Sequence, residues 1–147
     1  MADGRLTLRV PNELAVIERL ANAVDTFCAD HAIPPPLAVN LNLALDEILT
    51  NIISYGFKDD RRHDIEVDMR LEAGTLAVDV IDDGAAFDPL KMPPPDLHAA
   101  LEDRPIGGLG IHLVKSLMDS VEYHRDGERN RLSLRKNVRP SDPAAGA

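Results

Sequence analysis

At 147 residues the chain is one domain's worth of sequence, long enough to bury a core, and its 44% apolar and 28% charged content is that of a globular protein. A formal charge of -9 repels phosphate polymers and acidic membranes, and with no Trp, two Tyr and three Phe there is little to stack on bases, which argues against a nucleic-acid function. The single Cys28 excludes an internal disulfide and a cysteine metal cluster.

Arg5 to Val10 alternates, with Leu6, Leu8 and Val10 on one side, and reads as a half-buried strand stopped by Pro11. Asn12 is then an N-cap candidate for a helix running to about His31, with Leu14, Ile17, Leu20, Ala21 and Val24 at helical spacing. Cys28 lies inside that pattern, as a buried structural thiol would. Pro34, Pro35 and Pro36 read as a stiff connector to a central helix, Leu41 to Phe57, ending near Gly56. After a charged loop, Lys58 to Asp64, two alternating runs follow: Ile65 to Leu71 and Leu76 to Ile81. Separated by Glu72, Ala73 and Gly74, they predict a β-hairpin.

Asp88 to Pro105 holds five prolines and only a helical hint at Leu97 to Leu101, so it reads as a long functional loop. Gly107, Gly108 and Gly110 open a helix striped by Leu113, Val114, Leu117 and Met118. Strands near Ser120 to Arg125 and Arg131 to Lys136 close the fold around an Asp126–Gly127 turn. Residues 1–138 are expected to form one domain and 139–147 a disordered tail. The strands are apolar on one face only. That predicts the α+β class: a two-layer α/β sandwich with a mostly antiparallel sheet and helices on one side. No apolar run reaches the roughly 18 residues of a membrane span and no leader-like stretch opens the chain, so a soluble, cytoplasmic protein is expected.

Three places could carry chemistry. On the central helix, Leu41, Leu45, Ile48, Leu49 and Ile52 share a buried stripe. Glu47 and Asn51 sit one turn apart on its edge, while Asp46 and Thr50 point away. An amide oxygen suits a hard, hydrated Mg²⁺, and a nearby carboxylate can serve as a general base; equally, the pair could be two solvated polar residues at a helix boundary. In the strand end VDVIDDGAAFDP, period-2 counting puts Asp82 on the helix-covered face and Asp83 on the other. A carboxylate there needs a donor, which the amino group of an adenine would supply, and Gly84 permits close backbone approach; an ordinary Asp-Gly turn is the plainer alternative. In GGLGIHLVKSLMD, glycines before a helix leave N–H groups at a positive dipole end, where an anion can bind, though they also suit a plain loop.

In that order the three boxes resemble the GHKL (Bergerat-fold) ATPase superfamily, most closely its anti-sigma-factor serine/threonine kinase family. The likeness spans about residues 5–137 and includes the ending from Gly127 to Lys136. It implies ATP or ADP and Mg²⁺ as cofactors. Asn51 would be the metal ligand and Glu47 the base for the attacking hydroxyl. Asp82 would take the adenine, with Gly84 beside it, and Gly107, Gly108, Leu109 and Gly110 would lie at the phosphates. Asp88 to Pro105 would be a lid over the nucleotide. The implied partners are a STAS-domain anti-anti-sigma factor as substrate and a sigma factor as second partner, within a homodimer. Two departures stand out: Ala86 where many relatives have glycine, and a proline-rich lid without the Phe of sensor histidine kinases. No matched residue supplies an arginine for the γ-phosphate, although Arg104 is near. A nucleotide-binding adaptor with little kinase activity, a detached histidine-kinase catalytic domain and a nucleotide-free structural domain are the competing readings.

Overall fold

The computed structural model describes residues 3–91 and 108–138. Most of the expected lid, Arg104, Gly107 and the expected tail lie outside those residues. Five strands form one antiparallel sheet in the order β1-β2-β3-β5-β4: β1 (Gly4–Pro11), β2 (Asp64–Glu72), β3 (Thr75–Asp82), β4 (Ser120–Asp126) and β5 (Arg129–Asn137). Among the described residues three α-helices cover it, α1 (Val16–Asp30), α2 (Pro35–Tyr55) and α3 (Gly108–Leu117), with a short 3-10 turn at Pro89–Lys91. This is the two-layer α+β sandwich that the one-sided strands require.

Register explains the layering. Leu8, Val67, Val80, Leu132 and Tyr123 stand side by side across five strands, and Leu6, Met69, Val78, Leu134 and Val121 form the next such row. Both rows pack under the helices, against Leu41, Leu45 and Leu49 of α2 and Val24 of α1. Each large buried aliphatic side chain contributes about 1.5–3 kcal/mol, and α1 and α2 supply five buried residues apiece, so the two together anchor the helical layer.

The helix boundaries depart from the sequence reading in three places. Asn12 is not an N-cap: α1 starts at Val16, with Ala15 at the cap position and no side-chain cap. Asn12 instead exchanges hydrogen bonds with His63, its N–H donating to the His63 carbonyl and its Oδ1 accepting the His63 N–H, each 2.9 Å. Leu14 therefore precedes the helix and is exposed. The prolines are not a separate connector but the cap and first turn of α2. Pro34 is the extended cap residue (ψ 137°), as a residue before proline must be, and Pro35 opens the helix where no N–H is needed. On α3 the buried stripe is Ile111 and Val114, continued by Met118 just past its end, whereas Leu113 is exposed.

The uncovered face of the sheet is polar yet not simply wet. Thr7, Asp68, Asp79, Ser133 and Glu122 form a row across it, and Asp68 and Asp79, direct cross-strand neighbours, are both buried. Arg70 Nη1 donates to both carboxylates, Arg5 Nε and Thr7 Oγ1 donate to Asp68 at 3.0 Å, and Ser133 Oγ donates to Asp79 at 2.6 Å. Burial works to raise the Asp68 pKa, but hydrogen bonds from Arg5, Thr7 and Arg70 prevail and lower it.

Candidate functional site

Between α2, α3 and the helix-facing side of β3 and β5 lies a cavity of about 470 Å³. Its walls are mostly aliphatic, from Ile48, Ile52, Val80, Ile111, Val114 and Leu132, with a few polar groups converging on it. A largely apolar cleft with few placed polar groups is the usual form of a small-molecule site. Tyr55 and Phe87, both well exposed, stand on its wall as well.

Helical geometry brings the expected pair here. Glu47 and Asn51 both line the cavity, while Asp46 is exposed and accepts a hydrogen bond from Thr50 Oγ1. Gly110, in the first turn of α3, lies against Glu47: a Cβ built on it would sit 2.1 Å from Glu47 Oε2 and 3.0 Å from Cδ. Gly108 and Leu109 open α3, so the first turn of that helix lies next to the Glu47 wall. The structure thus brings Glu47, Asn51, Asp82 and the start of α3 to one place.

Across the cavity, Asp82 is buried at 6% exposure, and its Oδ1 accepts from Gly84 N–H (2.8 Å) and Asn130 Nδ2 (3.0 Å). Gly84 is needed for close approach of a different kind from the one expected. A Cβ there would meet the Gly56 carbonyl oxygen at 2.4 Å, because the end of α2 packs on this loop, where Ala85 N–H donates to that same oxygen at 3.1 Å. Asp83 points the other way, as alternation predicts, but it is not idle: its Oδ1 pairs with His63 Nδ1 at 3.0 Å.

Sequence reasoning passed over Asn130 and Tyr123, which also line the cavity. Asn130 lies directly opposite Asp82 in the β3–β5 register and is buried at 8% exposure. The signal was present: Asn130 shares the inward face with Leu132 and Leu134, by the same period-2 counting that singled out Asp82.

The donor set fits a nucleotide with its metal. Among the described residues no three His, Cys, Asp or Glu side chains group into a metal cage. A Mg²⁺ carried by phosphates and water needs only one or two protein oxygens, and the Asn51 amide oxygen on the cavity wall is of the right kind, which leaves the Glu47 carboxylate free for proton transfer.

A fold of this topology, with an apolar cleft flanked by a Glu/Asn helix edge, a buried Asp and a glycine-started helix, defines an ATP-binding domain of the GHKL type. The description of the histidine kinase-like ATPase domain matches residues 10–136, and the chain belongs to that family. Within it the kinship is with serine and serine/threonine kinases. The chain is 32% identical over 104 residues to serine/threonine-protein kinase BtrW of Bordetella bronchiseptica, covering 71% of this chain and 73% of that protein. It is 33% identical over 91 residues to serine-protein kinase RsbW of Listeria monocytogenes, covering 59% of this chain and 58% of that one. In fold it is similar to the crystal structure of the RsbU and RsbW domains of a Mycobacterium tuberculosis protein, with TM-score 0.69 at 14% identity over 94% of this chain and 34% of that one. No helix among the described residues is long and apolar enough to cross a membrane.

Proposed function

We propose that this chain, a serine/threonine-protein kinase of the RsbW and BtrW kind, phosphorylates a STAS-domain anti-anti-sigma factor and thereby controls a sigma factor that it binds. Glu47 would take the proton from a serine or threonine hydroxyl of the partner. The hydroxyl oxygen then bonds to the γ-phosphorus, the bond to the bridging oxygen breaks, and ADP leaves. Asn51 would hold Mg²⁺, which neutralises phosphate charge when bound, and Asp82 would accept the adenine amino group, with Gly84 beside it. The glycine-rich entry to α3, from Gly107 through Gly108 and Leu109 to Gly110, would lie at the phosphates. Catalysis of this kind is mostly positioning and charge stabilisation. Control of a sigma factor would place the working protein in the cytoplasm, and a homodimer is the proposed assembly.

The observation that carries this reading is the meeting of Glu47, Asn51 and Asp82 on the walls of one apolar cleft in a chain with kinase kin. The test is incubation with ATP, Mg²⁺ and a STAS-domain protein. Acid-stable phosphate should appear on a serine or threonine of the partner. Glu47→Gln should slow its appearance by about 10²–10⁴-fold while ADP affinity stays nearly unchanged. Acid-labile phosphate on a histidine would favour the histidine-kinase reading, and a stable complex without phosphate would leave an adaptor.

A further inference from the structure

Asp82 could offer either carboxylate oxygen to a ligand, and something must decide which. We infer that Asn130 is the positioning residue for base recognition. It locks the Asp82 carboxylate so that Oδ1 is consumed within the protein and Oδ2 alone is presented to the amino group of the base. The inference rests on the adenine reading of Asp82 given above.

The Asn130 amide sits between two sets of partners that match only one orientation. Its Oδ1 receives the Tyr123 hydroxyl, Arg125 Nη1 at 3.2 Å and, at the long limit of 3.5 Å, the Phe87 N–H. Its Nδ2 donates to Asp82 Oδ1 at 3.0 Å, to the Ala85 carbonyl at 2.9 Å and to the Gly84 carbonyl at 3.4 Å. Turning the amide over would set its nitrogen against two groups that only donate, Arg125 Nη1 and the Phe87 N–H, and its oxygen against three acceptors, so the side chain has one state. Arg125 Nη1 also donates to the Gly84 carbonyl at 2.9 Å, which ties β4 into the same assembly.

The consequence falls on Asp82. Asn130 Nδ2 and the Gly84 N–H both converge on Oδ1, whereas Oδ2 accepts no hydrogen bond from the described residues. Two donors on one oxygen fix the carboxylate plane. A buried acceptor fixed in this way is directional. It favours a base with an amino group at the matching position and repels one with a carbonyl there, as guanine has. Asn130 would thus act on the nucleotide through Asp82 rather than by touching the amino group.

The test uses two ligands that differ only in that amino group, ADP and purine riboside 5′-diphosphate, titrated with Mg²⁺ against the wild type, Asn130→Ala and Tyr123→Phe. Wild type should prefer ADP by about tenfold to a hundredfold, the worth of one hydrogen bond to a charged group. Asn130→Ala should weaken ADP by about tenfold and the purine analogue by less than about twofold, so that the preference collapses. Tyr123→Phe removes one donor from Asn130 without opening the strand pair, and should cause a smaller loss of the same ADP-selective kind. It decides the matter if Asn130→Ala does not fold. Equal losses for both ligands in either variant would mean that Asn130 merely holds the Gly84–Ala85 loop, and would overturn the inference. If wild type binds both ligands equally, it is the adenine reading of Asp82 that fails, whatever the variants do.

Discussion

Glu47 stands where it does partly because residue 110 has no side chain. A methyl group at Gly110 would occupy the space of the Glu47 carboxylate. Gly110→Ala should therefore displace the proposed base, and a displacement of about 1 Å costs on the order of a hundredfold in transfer rate. ADP affinity should hardly move, since the residue-110 N–H is retained. Single-turnover transfer and ADP titration of the variant check this together. If both fall in proportion, the glycine serves the phosphates and not the position of Glu47. Angular counting on one helix separated Glu47 and Asn51 from Asp46, and alternation on one strand separated Asp82 from Asp83, while the roles expected of them came from the family resemblance. Such counting could not reveal that Gly110 makes room for Glu47, because that contact joins helices 63 residues apart in sequence.

At the scale of elements, the five strands and three α-helices of the described residues were legible as periodic patterns, while the starts of α1 and α2 were not. The α1 start failed because residues 13–15 form turns of their own. Val16 N–H donates to the Glu13 carbonyl and Ile17 N–H to that of Leu14, and Asn12, turned toward His63, offers no cap. The α2 start failed because proline both opens and breaks helices, and only the extended Pro34 ahead of it shows which applies. The hairpin between β2 and β3 was legible, but its strain was not. Both central turn residues have positive φ, Ala73 at 50° and Gly74 at 80°, the pattern of a type I′ turn. Glycine tolerates this and alanine does not. Ala73→Gly should relieve about 1–2 kcal/mol of steric cost and lose about 0.5–1 kcal/mol of chain entropy, a net stabilisation of about 0.5 kcal/mol. Ala73→Asn should stabilise in the same direction. Both keep the residue-73 N–H that donates to Asp3 Oδ1. Urea midpoints at unchanged slope would show the gain, and a midpoint at or below wild type would refute the strain.

The whole molecule is fastened at one end of the sheet by His63. Its backbone pairs with Asn12 at the end of β1, and its ring stacks on Phe57 just past α2 (centroids 4.3 Å apart, 13° between planes). Its two ring nitrogens reach Asp83 Oδ1 at 3.0 Å, beside the cavity, and Asp59 Oδ1 at 2.7 Å. Ionised carboxylates only accept, so both contacts are hydrogen bonds only when both ring nitrogens carry protons. The latch is complete in the imidazolium form. The hydrogen bond to Asp59 raises the His63 pKa, burial opposes it and Asp83 adds to the rise, while the bond from His63 lowers that of Asp59. A raised His pKa gives stability that is whole below the unfolded value of about 6.5 and lost as pH climbs through the folded value. A lowered Asp pKa gives stability present above about 3.8 and lost as pH falls through its folded value. The stabilisation should therefore peak between these limits, near pH 5–6. Arg9, Arg62, Asp64, Glu66 and Arg129 share the groove beside His63. His63→Phe keeps the stack and removes the latch, so the difference in Tm between wild type and variant should be largest near pH 5.5 and should shrink toward pH 9. Parallel Tm curves across that range would show that the two carboxylate contacts contribute nothing to holding β1, α2 and the Asp82 loop together.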